Sequence, residues 1–270
     1  MINKKIGIIG CGNMGEAILS RLSNILEKST SIMVSEYDTA RRDYIQNKYK
    51  IIVEIDNNAV VKYSDVIILA VKPKDFDKIL KTEVCCGVSK SKILISIAAG
   101  ITTKHIEGIV GKDIPVIRVM PNMPAVIGEA ISSISRGTSA GDKEMDVAKE
   151  IFSVIGEVVE VDEKLVDAVT AVSGSGPAYF FYLIEALVEA SRKLGLDEET
   201  AKKLVLKTAI GSAKLLEATK EEPHLLRKKV TSKGGTTEAA LKVFDDKMVK
   251  SIIRDAVKAA HKRSKELTGG

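Results

Sequence analysis

The sequence predicts an α/β domain built on a doubly wound parallel sheet, followed by an all-α domain, and three observations carry that prediction. Up to about residue 160, short β-branched runs alternate with helical stretches. Several of these runs, such as Val66-Ile67-Ile68-Leu69-Ala70 and Ile93-Leu94-Ile95, are apolar throughout, as strands buried on both faces must be. Beyond about residue 163 the strand signal stops and the apolar period becomes helical. The third observation lies at the start, where the first strand runs directly into a glycine turn and then a helical pattern.

Taken in order, strands are predicted at 5–9, 31–35, 51–53, 66–70, 93–96, 116–119, 131–135 and 157–161, the last of them extending the sheet past its parallel core. The alternation with helices implies right-handed βαβ crossovers. Gly176-Pro177 then opens a helix with proline in its first turn, and Gly195 ends it after Leu194. Its interior is apolar nearly all round and holds Tyr179, Phe180, Phe181 and Tyr182, which predicts a buried central helix. Asp197 is placed to cap the next helix. A short helix near 237–244 and a long amphipathic one near 246–267 follow, with Thr268-Gly269-Gly270 expected to fray. The domain boundary is expected at 162/163, giving domains 1–162 and 163–270. Small residues recur in the helical domain (Ala209, Gly211, Ser212, Ala213, Ala239, Ala240) and large ones are few. Close helix approach across a subunit boundary explains both, so a homodimer or higher homo-oligomer through the C-terminal helices is expected.

Composition excludes several classes. With 45% hydrophobic and 29% charged residues the chain reads as globular, and no run of eighteen apolar residues exists to span a membrane. The first strand begins within five residues, so no leader is expected. Three cysteines, two of them adjacent (Cys85-Cys86), argue against a disulfide framework and for a reducing, cytoplasmic setting. His105, His224 and His261 have no metal-ligand spacing, so no metal is expected. The net charge is +5, but Lys and Arg are interleaved with Asp and Glu, aromatics are 4% and tryptophan is absent. Nucleic-acid binding is therefore not expected.

The glycine turn is Gly10-Cys11-Gly12-Asn13-Met14-Gly15. Its first glycine permits the tight turn, its second lets backbone approach a pyrophosphate, and its third lets helix and strand pack closely. The helix N-terminus then offers amides and positive dipole to the anion, so a Rossmann-type dinucleotide site is predicted. Ser35-Glu36 ends the second strand, 26 positions past Gly10, where a carboxylate accepts from the adenosine ribose and repels a 2′-phosphate. Arg41 and Arg42 follow closely and could reach a 2′-phosphate instead. Ala70-Val71-Lys72-Pro73 and the Ala98 to Gly100 turn end the fourth and fifth strands, at the sheet edge where such cofactors sit. Asn57, Pro121 and Asn122 complete the candidate cofactor set.

Two further polar turns, Ser173-Gly174-Ser175-Gly176-Pro177 and Thr231-Ser232-Lys233-Gly234-Gly235-Thr236-Thr237, lead into helix N-termini and present free amides to an anion. With a nucleotide site, they point to a small anionic substrate.

In the motifs IGIIGCGNMGEAI, AVKP, SIAAGI, RVMPNMPAVIGEA, DAVTAVSGSGPAYFF and TSKGGTTEAALKVF, in that order, the chain resembles the pyrroline-5-carboxylate reductases over essentially its whole length. The resemblance implies reduction of the cyclic imine of Δ1-pyrroline-5-carboxylate to proline by NADPH or NADH, in subunits whose helical domains interlock. It places Thr237 at the ring nitrogen as the catalytic donor, the amides of Gly234, Gly235 and Thr236 at the carboxylate, and Ser175 at the substrate. A protonated imine is already an electrophile, so orientation and a hydrogen-bond donor suffice without a His–Asp pair. The chain departs from the family at Lys233, where proline is usual, and at Glu36-Tyr37, where an arginine favouring NADPH is usual. Two alternatives stand beside this reading. A β-hydroxyacid dehydrogenase would need a lysine where this chain has Phe180, and a non-catalytic nucleotide-binding regulator would not need the Thr236-Thr237 turn.

Overall fold

The computed structural model describes residues 2–26 and 31–269. All eight expected strands are present: β1 (Ile6–Ile9), β2 (Ile32–Ser35), β3 (Ile52–Glu54), β4 (Val66–Leu69), β5 (Ile93–Ser96), β6 (Val116–Met120), β7 (Ala130–Arg136) and β8 (Gly156–Glu160). They form one sheet in the order β3-β2-β1-β4-β5-β6-β7-β8. The strands from β3 to β6 run parallel, β7 is antiparallel to β6, and β8 is parallel to β7. The order reverses at β1, between β2 and β4, which leaves a crevice beyond the carboxyl ends of β1 and β4.

The helices α1 (Asn13–Ile25), α2 (Thr39–Tyr49), α3 (Asn57–Tyr63), α4 (Pro73–Ile79), α5 (Thr103–Val110) and α6 (Asp142–Ser153) cover both faces. Alternation along β4 shows why its run is wholly apolar. Val66 and Ile68 pack with Ile18 and Leu22 of α1, while Ile67 and Leu69 pack with Val60 of α3 and Phe76 of α4. Each such side chain, fully buried, is worth roughly 1.5–3 kcal/mol.

The chain divides into two compact units, residues 1–175 with 260–270, and 176–259. The segment after β8 is pinned to the sheet. The Glu163 carboxylate accepts from the Thr103 amide at 2.8 Å and from its hydroxyl at 2.5 Å, and it pairs with the buried Arg118 of β6 at 3.3 Å. The segment continues through α7 (Val166–Val169) and a wide turn, Thr170–Gly174, where the Asn122 side chain donates to the Ser173 carbonyl at 3.2 Å. The C-terminal residues return to this unit. Ser264 and Thr268 both donate hydroxyl hydrogen bonds to Asp167, at 2.7 and 3.0 Å. Thr268 is thus tied down rather than frayed, while Gly270 lies outside the described residues.

The second unit contains α8 (Gly176–Lys193), α9 (Glu198–Thr219), α10 (Pro223–Lys229), α11 (Thr236–Asp246) and the first half of α12 (Val249–Leu267). Asp197 caps α9 as expected, accepting from the Thr200 amide at 2.9 Å. The seven-residue α10 has no counterpart in the sequence reading; Pro223 in its first turn was the available signal. One expectation is overturned. Helix α8 is not buried within its own chain: Phe180, Phe181 and Tyr182 are 69%, 62% and 76% exposed. An apolar pattern marks surface that must leave water, and does not say whether the same chain covers it.

Glu16, in the first turn of α1, fastens α2 to the sheet. Its carboxylate accepts from Tyr44 at 3.2 Å, Lys48 at 2.8 Å and Tyr49 at 2.9 Å, and pairs with Arg41. Burial pushes this carboxyl up, but the bonds from Lys48, Tyr49 and Arg41 outweigh it and hold the pKa at about 2, against an ordinary 4.5. A depressed carboxylate stabilises the fold fully above its unfolded pKa and loses that contribution as pH falls through the folded one. Stability should therefore decline between about pH 4.5 and 2, and Glu16→Gln should flatten that decline. Urea midpoints stepped through this range measure it; equal slopes for both proteins would show that the cluster contributes nothing.

Candidate active site

A groove of about 730 Å³ opens at the carboxyl ends of β1, β2 and β4, at the switch point of the sheet. Of the residues expected at a cofactor, Gly10, Gly12, Asn13, Ser35, Glu36, Asn57, Ala70, Val71 and Lys72 line it. Gly10 has φ +85°, and a Cβ there would meet the Ala70 carbonyl oxygen at 3.0 Å. At Gly12 a Cβ would meet nothing within 4 Å, so the turn presents bare backbone to open space. The Ser35 hydroxyl, at the groove, is 1% exposed and without a partner among the described residues. Open backbone, a helix N-terminus and an orphaned hydroxyl fit a pyrophosphate and its ribose.

Cys11, Met14, Gly15 and Pro73 support the groove without lining it. The Cys11 side chain is fully buried, and burial pushes its thiol up to about 12. Met14 packs against the core face beneath α1, and Pro73 opens α4. Ala98, Gly100, Pro121 and Asn122 stand beyond β5 and β6, outside the groove lining. Gly100 has φ +78° and would bring a Cβ to 2.7 Å from the Leu267 carbonyl oxygen, so its glycine serves chain packing.

Glu36 is 7% exposed, and each of its oxygens is engaged: one accepts from the Cys11 amide at 3.0 Å, the other from the Asp38 amide at 3.1 Å. A carboxylate offers about four acceptor positions, so both oxygens keep capacity for a ligand. Arg41 also lines the groove, but both nearby arginines are engaged within the chain. Arg41 donates to the Cys11 carbonyl at 2.9 Å and pairs with Glu16; Arg42 donates to the Glu36 carbonyl at 3.1 Å and the Thr39 hydroxyl at 3.2 Å.

The sequence reading missed Tyr37, Ile55, Lys74, Asp75, Lys78, Ile79 and Glu83, which also line the groove. Tyr37 and Ile55 stand just past the carboxyl ends of the paired strands β2 and β3, so the rule that located Glu36 could have found both. Lys74 and Lys78 are four apart on α4 and share a face, a signal the first-turn proline already offered.

The expected substrate residues fall into different units. Ser175 belongs to the first, where its amide donates to the Thr170 carbonyl at 2.8 Å. Gly234 to Thr237 belong to the second, where Gly235 caps α11 with no side-chain cap bond and Gly234 has φ +73°. The Gly234 amide donates to the Glu238 carboxylate at 2.7 Å and the Gly235 amide to the Ser232 carbonyl at 3.1 Å. Two of the three amides expected to be free for a substrate carboxylate are therefore bonded within the turn. Among the described residues, no group of three or more His, Cys, Asp or Glu could hold a metal ion, and no helix is long and apolar enough to cross a membrane.

Residues 163–267 match the family of pyrroline-5-carboxylate reductase dimerisation domains. Residues 5–100 match the coenzyme F420-dependent NADP oxidoreductases. The pyrroline-5-carboxylate reductase of Synechocystis is 43% identical over 269 residues, covering 97% of this chain and 98% of the relative. The chain belongs to the pyrroline-5-carboxylate reductase family. The reductase of Arabidopsis thaliana is 39% identical over 98% of this chain and 95% of its own. Among solved structures, the Plasmodium falciparum pyrroline carboxylate reductase with NADP bound superposes with a TM-score of 0.90 at 30% identity, covering 99% of each chain. The Coxiella burnetii reductase matches with a TM-score of 0.90 at 33% identity, covering 98% of each.

Gly12 gives a direct test of the groove as the cofactor site in this reductase-family chain. Because a Cβ there meets no protein atom within 4 Å, Gly12→Val should fold with a nearly unchanged melting temperature yet weaken dinucleotide binding at least about 100-fold. Calorimetric binding within a few-fold of the parent would place the cofactor elsewhere.

Proposed function

We propose that this chain reduces the C=N bond of Δ1-pyrroline-5-carboxylate to give L-proline. The observation that carries the reading is the bare-backbone groove at the β1–β4 switch point, in a chain whose full length matches reductases of that name. When bound there, NADH or NADPH supplies the hydride. Gly10, Gly12 and Asn13 bind the pyrophosphate; Ser35, Glu36 and Asn57 border the adenosine side; Ala70, Val71 and Lys72 line the β4 wall. Cys11, Met14, Gly15 and Pro73 shape these turns, and Ala98, Gly100, Pro121 and Asn122 form the sheet edge toward the reacting ring.

The substrate carboxylate is held by the N-terminus of α11. There Gly234, Gly235 and Thr236 offer amides to the carboxylate, and the Thr237 hydroxyl donates to the ring nitrogen as the C=N bond is reduced. Glu238 occupies the Gly234 amide at 2.7 Å, so the substrate carboxylate must displace a carboxylate of the protein's own. The functional assembly is a homo-oligomer built through the C-terminal helices, supported by the dimerisation-domain match and by the exposed aromatic face of α8. Three free cysteines favour a reducing, cytoplasmic setting.

Thr237→Ala should lower kcat by on the order of 10²-fold, the usual cost of one such donor, while leaving dinucleotide affinity unchanged. Proline formation under saturating cofactor measures it; an unchanged kcat would leave Thr237 as a helix-start residue only.

Cofactor choice follows from Glu36. Its carboxylate is fixed by two amides, and both nearby guanidinium groups are engaged, so a 2′-phosphate would face a like charge. At surface-like dielectric that costs about 1–4 kcal/mol. NADH should serve at least as well as NADPH by kcat/KM, and Glu36→Ser should move the ratio toward NADPH by about tenfold, or roughly 1.4 kcal/mol. A hundredfold preference of the parent for NADPH would show that Arg41 releases Glu16 on binding.

A further inference from the structure

We propose that Cys85 and Cys86 form a bidentate binding site for thiophilic trivalent arsenicals. The two residues follow the wide turn Leu80–Val84 at the end of α4, two positions beyond Glu83 of the groove wall. Their sulfurs face each other at 3.6 Å, with Cys85 half-buried and Cys86 exposed. The Cys85 thiol also donates to the Lys81 carbonyl at 2.8 Å, which anchors one sulfur to the turn.

The separation selects the ligand. A disulfide joins residues whose Cα atoms are normally 4.4–6.8 Å apart, whereas sequence neighbours are held at about 3.8 Å, so a bond between these two would be strained. Sulfurs 3.6 Å apart are close enough for one centre to bond both without the backbone moving. A resident zinc would need further protein ligands, and no cluster of three or more His, Cys, Asp or Glu exists among the described residues. A monosubstituted arsenic(III) centre brings its own third substituent and asks for two sulfurs only.

The chemistry balances without an oxidant. With phenylarsine oxide, two S–H bonds and the arsenic–oxygen bond break, two As–S bonds form, and the oxide oxygen leaves as water with both thiol protons. Arsenic stays trivalent and sulfur is not oxidised. The third cysteine, Cys11, has a fully buried side chain and cannot compete.

The test is intact-mass spectrometry of the full chain treated with one equivalent of phenylarsine oxide in millimolar glutathione. The parent should keep a single phenylarsenic group, mapped to the peptide holding Cys85-Cys86 and released by dithiothreitol. Cys85→Ser and Cys86→Ser should each retain it at least about 100-fold less well, because one-point attachment forfeits the effective concentration of the second thiol. Removal from the parent by glutathione, or retention by either serine variant, would overturn the proposal.

Discussion

The approach of α1 to the end of β1 is the constraint on which the rest of the first unit depends. A Cβ at residue 15 would stand 2.5 Å from the Gly10 carbonyl oxygen, which is backbone and cannot yield. Only glycine at both positions lets the helix start hard against the strand. That contact aims the first amides of α1 into the groove, where the helix dipole favours an anion. It also sets Glu16 one residue further on, facing α2, so the same contact determines where Arg41, Tyr44, Lys48 and Tyr49 converge.

Two carboxylates stand beside a turn suited to an anion, and the hydrogen bonds they accept keep the arrangement compatible. Glu16 faces away from the groove and is matched by two cations and two phenols. Glu36 faces it, but accepts from backbone amides on either side, and a hydrogen bond to a charged group contributes about 1.5–3 kcal/mol. The Cys11 amide is thereby spent on the protein's own carboxylate, and is not free for an anion in the groove. Arg41 touches the Cys11 carbonyl and Glu16 at once, so its charge is already engaged within the chain at the edge of the groove.

The strands were legible because their burial is local. A run such as Val66-Ile67-Ile68-Leu69 is apolar on both faces only if helices cover both, and the chain supplies those helices on either side of it. The glycine turn was legible for the same reason, since steric need within six residues decides it. The aromatic face of α8 was misread because its cover is not local. Phe180, Phe181 and Tyr182 stand exposed, and the proposed association through the C-terminal helices would cover them. The attachment of the segment after β8 was not legible for a related reason: Glu163 bonds to Thr103 and Arg118, 60 and 45 positions away, and nothing near residue 163 announces those partners.

The substrate turn shows where reading by motif stops. Gly234-Gly235-Thr236-Thr237 announces a helix N-terminus with uncapped amides, and it is one. What those amides hold is a matter of competition. Glu238, in the first turn of α11, sits where an acid is favoured by the helix dipole, and it reaches back to the Gly234 amide. An incoming carboxylate gains the same dipole and the same amide, so the exchange is nearly balanced in electrostatic terms. Under the proposed reaction its direction is decided by what the substrate offers beyond its carboxylate, namely a ring nitrogen to accept from the Thr237 hydroxyl. A turn that trades one carboxylate for another discriminates poorly between small acids by charge, and leaves selectivity to the hydroxyl beside it.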